Sequence, residues 1–270
     1  MKKYEDQGSK MPVLFIGHGS PMNIISDNKF TQDLKKLGTN LPKPKAILVI
    51  SAHWLTSGTR VLCSKNPKLI YDFYGFPKEL YEIDYPSSGL TELAMLISNE
   101  LKSYNVMCDH EWGYDHASWS ILKHIYPNAD IPVLELSLDY GFNRWDLKPI
   151  NYHYNLAKNL SFLRDQGVLI IGSGNIVHNL GIIEYKVNAP IMDWAKKLDE
   201  IVKQNLINKN HQDLIDFKKM GDIAKLGIPT WDHYLPLIYT IGLQGKDDSL
   251  KFVHEGFQHG SVSMRSIQIG

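Results

Sequence analysis

Four histidines, His18, His53, His178 and His233, each stand in a short polar or glycine-rich break beside an apolar run. Imidazole is the commonest protein ligand for transition metals, and ligands for a single ion can come from far apart in a chain. Gly17 and Gly19 flank His18, Ser51 and Ala52 precede His53, and Gly172-Ser173-Gly174 lies just before His178. Such neighbours let the backbone turn sharply and let a ring approach an ion without crowding. Taken singly, each of these histidines also reads as a hydrogen-bonded loop residue; repetition of the pattern is what points to a metal. A second cluster, Gly113-Tyr114-Asp115-His116-Ala117-Ser118-Trp119, puts His116 in the first turn of a helix that starts at or around Asp115. A helix N-terminus disfavours imidazolium, so His116 reads either as an acid or base with a lowered pKa or as a terminal residue bonded to a nearby carbonyl.

Three of the four histidines follow what read as buried strands, at 13–16, 46–50 and 168–171. Short apolar runs ended by Gly or small polar residues fit central strands of a parallel sheet, whose carboxyl-end loops line one crevice. His18, His53 and His178 could therefore converge there. Helical spacing recurs in 88–104 (Leu90, Leu93, Ala94, Ile97, Leu101) and in 190–207 (Ile191, Trp194, Leu198, Ile201, Val202), with Pro190 suited to a first turn. Further strands are expected at 59–63, 132–138, 250–255 and 261–269, the last with only weak alternation. The predicted fold is α/β: a three-layer single domain with a central mixed, mostly parallel sheet flanked by helices. Mixing is expected because no helix separates the two C-terminal strands. The stretch 64–86 is rich in Tyr, Phe, Pro and Asp and lacks periodicity; it reads as a long ordered loop, either closing over a site or simply packed on the core.

Lys plus Arg and Asp plus Glu both total 29, and the only arginines are Arg60, Arg144, Arg164 and Arg265. That balance lacks the basic footprint of a nucleic-acid binder and favours a small, weakly charged ligand. No linker, low-complexity tract or repeat divides the chain, so residues 11–270 are expected to form one catalytic domain behind a loose tail at 1–10. Cys63 and Cys108 make neither a disulfide framework nor a paired-cysteine zinc motif and fit a reducing compartment. With no membrane-length apolar run and no hydrophobic signal core at the start, a cytoplasmic protein that does not engage membranes is expected. The oligomeric state stays open.

Five motifs stand in order along the chain: GHGSPM at 17–22, SAHW at 51–54, DHASW at 115–119, GSGNIVHNL at 172–180 and WDHYLP at 231–236. Together they resemble the class III extradiol ring-cleavage dioxygenases, in the 4,5-DOPA dioxygenase extradiol branch, and the resemblance runs from Met11 to Gly270. It implies that His18, His53 and His233 hold a metal, that His178 lies at or beside it, and that His116 is an acid or base in the pocket. The wider class uses two histidines and one carboxylate on Fe(II). Here His233 stands where that carboxylate is expected, as in the DOPA-type branch, with Asp232 and Glu255 as the alternative carboxylates. Ala117 departs from the glycine common in the family.

The implied substrates are a small catechol such as DOPA and O₂. Neutral imidazoles leave a metal's charge uncompensated, which suits binding a catecholate and lowering its phenol pKa. His178 is assigned as the base and His116 as the acid, an assignment that also works in reverse. Fe(II) is the expected cofactor, because oxygen activation needs a redox metal; Zn(II) suits a nitrogen-rich site equally but has no redox chemistry. Trp54, Trp119 and Trp231 flank the motif histidines as candidate walls of a planar slot or as core. His110, His124, His153 and His211 read as surface or structural, and His254 and His259 as candidates to support the ligands. Two other functions use the same residues: zinc-dependent hydrolysis of an amide or ester, and non-catalytic metal or peptide binding.

Overall fold

The computed structural model describes residues 10–141 and 148–270, so of the expected tail at 1–10 only Lys10 falls within the described residues. Strands β1 (Val13–Gly17), β2 (Ala46–Thr56), β3 (Arg60–Leu62), β4 (Met107–Asp109), β5 (Val133–Asp139), β6 (Val168–Gly174) and β7 (Leu250–His254) join one sheet, with a short ribbon of β8 (Phe257–Gln258) and β9 (Val262–Ser263) beside it. β10 (Ser266–Ile269) completes the sheet in the order β4-β3-β5-β2-β6-β1-β10-β7. The centre, β5-β2-β6-β1, is parallel; β10 pairs antiparallel with both β1 and β7. The mixed α/β sheet follows from the missing C-terminal crossover helix, as the sequence implies.

Alternation along the central strands builds two cores. β1 sends Val13 and Phe15 to one face and Leu14 and Ile16 to the other; β2 does the same with Ala46 and Leu48 against Ile47 and Val49. The helices are α1 (Lys29–Asn40), α2 (Thr91–Glu100), α3 (His116–Ile125), α4 (Ile150–Asn159), α5 (Phe162–Asp165), α6 (Asp193–Ile207), α7 (His211–Ile215), α8 (Asp222–Gly227) and α9 (Leu235–Gly242). α1 and α3 cover the second face with residues such as Leu34 and Ile121. The first face is covered by α2, α4, α6 and α9 through Ile97, Leu156, Leu198 and Ile238. Among the described residues no helix is long and apolar enough to cross a membrane.

Four local expectations are corrected. α6 begins at Asp193, so Pro190 lies in the preceding loop rather than in the first turn. The run 261–269 is two strands, because Arg265 between them turns inward and its buried Nε donates to Asp199 at 3.0 Å and 3.1 Å. β2 does not stop at Ile50; it continues to Thr56 through an irregularity in its pairing with β5 between Ile50 and Leu55. Finally, Cys63 and Cys108 form a disulfide across 45 residues of sequence. Parallel pairing of β3 with β4, with Leu62 beside Asp109, sets their Cα atoms 5.4 Å apart. The pairing removes the free thiols on which the expectation of a reducing compartment rested, and it staples the start of the 64–86 loop to the strand that leads toward His116.

Candidate metal centre and its carboxylate partners

His18 leaves the end of β1, where its backbone N–H donates to the Gly174 carbonyl at 3.1 Å. His53 rides the irregular part of β2, where extra residues bend a strand and re-aim its side chains. Ser51 holds that bend: its hydroxyl accepts from the His53 backbone N–H at 3.1 Å and donates to Asp115 at 2.6 Å. Asp115 therefore spends its carboxylate on Ser51, and caps α3 by position without a side-chain bond to the helix. His116 opens α3 as expected. His233 lies in the turn before α9, against the end of β6: its carbonyl accepts from Asn175 N–H at 2.9 Å, and a Cβ on Gly174 would sit 2.2 Å from that oxygen. Only glycine allows this approach, so one residue seats both His18 and His233.

The rings of His18, His53 and His233 form a near-equilateral triangle with centroids 5.2 Å, 5.3 Å and 5.0 Å apart. His116 sits on its flank, 4.2 Å from His53 and 5.7 Å from His18. His178 stacks face to face on His233 at 3.6 Å and has no hydrogen-bond partner for its ring among the described residues. All five histidines singled out in the sequence thus meet at the carboxyl edge of β1, β2 and β6.

Hydrogen bonds behind the rings fix their tautomers. The Ser173 hydroxyl donates to the Ala117 carbonyl at 2.6 Å, so at 3.1 Å from His18 Nδ1 it accepts, and Nδ1 carries the proton. Carboxylates only accept. Asp72 Oδ2 lies 2.9 Å from His53 Nδ1, Asp72 Oδ1 lies 2.9 Å from His116 Nδ1, and Asp232 bonds His233 Nδ1. Each of these four imidazoles consequently turns an unprotonated Nε2 forward. His18 Nε2 and His53 Nε2 stand 3.3 Å apart, two lone pairs facing each other in a buried site. Such an arrangement is unfavourable unless a proton on one ring or a metal ion lies between them, and 3.3 Å is also the spacing two nitrogens adopt when each lies about 2.0–2.1 Å from one tetrahedral ion. The donor set fits a divalent metal.

The electrostatics agree. Burial, then repulsion among the imidazoles, holds His18 well below its ordinary pKa. Burial also lowers His116 and His233 despite their carboxylate partners, and presses His178 down to about 2. In His53 burial loses to the Asp72 hydrogen bond and to the charges of Asp115, Asp72 and Asp232, so its pKa is raised. Asp72 and Asp232 are held below the carboxylate range by the imidazoles they bond, which outweighs their burial.

Other expectations resolve here. Asp232 supports His233 from behind. Glu255 pairs with Arg265 and Lys203, His254 with Asp33, and His259 with the Glu184 carbonyl, all away from the triangle. The support on that side comes instead from Gln258, whose Oε1 accepts from Asn23, which also donates to the His18 carbonyl. Trp54 stacks on Trp112, and Trp119 is fully buried and donates to the Ile70 carbonyl, so both are core; the aromatic beside His116 is Phe73, at 5.6 Å. Trp231 packs on Phe217 under Lys218. His124, His153 and His211 make structural hydrogen bonds, as anticipated. The residue that sequence reasoning missed is Asp72. Its one signal is a lone carboxylate inside the aromatic run Tyr71-Asp72-Phe73-Tyr74.

The family described as the catalytic LigB subunit of aromatic ring-opening dioxygenase matches residues 12–269. The chain belongs to the LigB family. This LigB-family protein is 41% identical over 266 residues to a 4,5-DOPA dioxygenase extradiol of Escherichia coli K12, covering 97% of this chain and 96% of that protein. It is 34% identical over 253 residues to a 4,5-DOPA dioxygenase extradiol of Mirabilis jalapa, covering 92% of each. Among solved structures, an uncharacterized protein of Escherichia coli K12 superposes with a TM-score of 0.82 at 38% identity, covering 96% of this chain and all of the other.

Proposed function

We propose that this LigB-family protein opens the aromatic ring of a catechol such as DOPA with O₂, and that His18, His53 and His233 hold the metal through Nε2. The observation that carries the reading is the pair of facing Nε2 atoms at 3.3 Å, each with its proton pinned on the far nitrogen. When bound, Fe(II) supplies the Lewis acidity that lowers the catechol's phenol pKa and the redox chemistry that lets O₂ react, whereas Zn(II) supplies only the former. We take Fe(II) as the working metal and Zn(II) as an ion the same nitrogens accept.

The protein's own groups move the protons. In this reading His178, stacked on His233 with its ring free of partners among the described residues, accepts the second catechol proton, the charge of the bound catecholate offsetting the burial that lowers its pKa. In the same reading His116 takes up a proton on Nε2 and returns it as the ring opens, a role supported by Asp72 behind its Nδ1, which stabilises the imidazolium. Phe73 flanks His116 as an apolar wall for a planar substrate. The relatives described above bear dioxygenase names, and nothing in the site favours the hydrolase or the non-catalytic binder.

Oxygen uptake tests the reading. Protein loaded anaerobically with Fe(II) is expected to consume O₂ and turn DOPA or a related catechol into a yellow semialdehyde, while Zn(II)-loaded protein does neither. Equal turnover with both metals, or ester hydrolysis without oxygen, contradicts it.

A further inference from the structure

The most heavily used side chain behind the histidines belongs to a loop rather than to the sheet. Asp72 lies in the aromatic stretch after β3, and its two oxygens are divided between two rings. Oδ1 accepts from both the backbone N–H and Nδ1 of His116, each at 2.9 Å, and Oδ2 accepts from His53 Nδ1 at 2.9 Å. The loop is held firmly enough to place them. Ile70 N–H donates to the Tyr114 carbonyl at 2.7 Å, Trp119 Nε1 donates to the Ile70 carbonyl at 3.1 Å, and the Tyr71 hydroxyl donates to the Ile83 carbonyl at 2.7 Å.

We infer that Asp72 is a shared positioning residue: one carboxylate sets the tautomer and spacing of both His53, on the metal side, and His116, on the proton-transfer side. The argument is one of hydrogen-bond inventory. A carboxylate is an acceptor at both oxygens, so it demands Nδ1–H from both imidazoles and leaves both Nε2 atoms open. An amide of the same shape has one accepting oxygen and one donating nitrogen. In Asp72→Asn one ring must either give up its bond or flip to Nε2–H; at His53 that puts a proton where the metal needs a lone pair, and at His116 it removes the Nε2 lone pair that takes up the proton to be returned. The two rings lie 4.2 Å apart on separate elements, β2 and α3; Ser51 links the His53 backbone to Asp115, but the side chain that bonds both imidazoles is Asp72. The two roles rest on the function proposed above, but the tautomers do not, so the two can fail separately.

The test reads imidazole tautomers by ¹⁵N–¹H correlation NMR in metal-free protein at a pH where the rings are neutral, together with Co(II) affinity. In the natural protein both His53 and His116 are expected as Nδ1–H. Asp72→Asn is expected to convert one of them to Nε2–H and to weaken Co(II) binding about 10–100-fold, the usual worth of a partner behind a ligand. Asp72→Glu, which keeps two acceptor oxygens, is expected to restore both tautomers and recover part of the affinity. An Nε2–H tautomer at either ring in the natural protein overturns the inference without any variant. So does an Asp72→Asn protein with unchanged tautomers and unchanged affinity. Absence of catechol cleavage in the natural protein would count against the proposed function alone.

Discussion

Replacing His18, His53 or His233 by alanine is expected to leave a folded protein that no longer retains a metal ion. Each change removes one of the three imidazoles whose ring centroids lie 5.0 Å to 5.3 Å apart and which are proposed to hold the ion, so the loss should exceed the 10–100-fold typical of residues that merely support ligands, and be at least about 100-fold. The sheet and both cores do not depend on these rings: His18 follows β1, His53 rides the irregular part of β2 and His233 lies in the turn before α9, and none belongs to either hydrophobic core. Co(II) or Zn(II) titration with far-UV circular dichroism on the same samples separates lost binding from lost folding. The natural protein should also show a pH signature. Because His53 is raised above its ordinary pKa while His18 and His233 are lowered, the ion displaces mainly one proton, that of His53. Affinity should therefore climb about tenfold per pH unit below the His53 pKa and level off above it.

His116→Ala is expected to behave differently: full metal content, with catechol turnover slowed about 10²–10⁴-fold, the worth of a positioned acid or base. Its ring stands on the flank of the triangle, closest to His53, and its anchoring is to Asp72. His178→Ala should slow turnover by a similar factor and weaken the metal only modestly, since its contact is a stack on His233. Metal analysis and turnover measured on the same preparations decide between these roles. A His116→Ala protein that is fully active, or that arrives without metal, contradicts its placement.

What the sequence discloses and what it conceals divide along physical lines. The histidines that end or interrupt apolar runs are legible, because a parallel sheet delivers its carboxyl-end loops to one crevice whatever the details. His116 is legible from the capping pattern around Asp115. Asp72 is not, since it meets His116 across 44 residues and sits in a stretch with no period to reveal its orientation. Pairing of Cys63 with Cys108 depends on the β3–β4 register, which nothing local announces. Likewise the split of 261–269 is decided by the distant Asp199 drawing in Arg265, and the continuation of β2 past Ile50 by Ser51 bonding Asp115. In these last two cases a long-range polar contact overrides a correct local pattern.

The central claim is that one ion sits on Nε2 of His18, His53 and His233. Anomalous diffraction at the metal edge of Zn(II)-loaded crystals measures this directly. The account predicts a single peak with these three nitrogens roughly 2.0–2.1 Å away and Asp72 and Asp232 still behind their imidazoles. A peak bound by the Asp232 or Glu255 carboxylate, or lying away from the triangle, would contradict it.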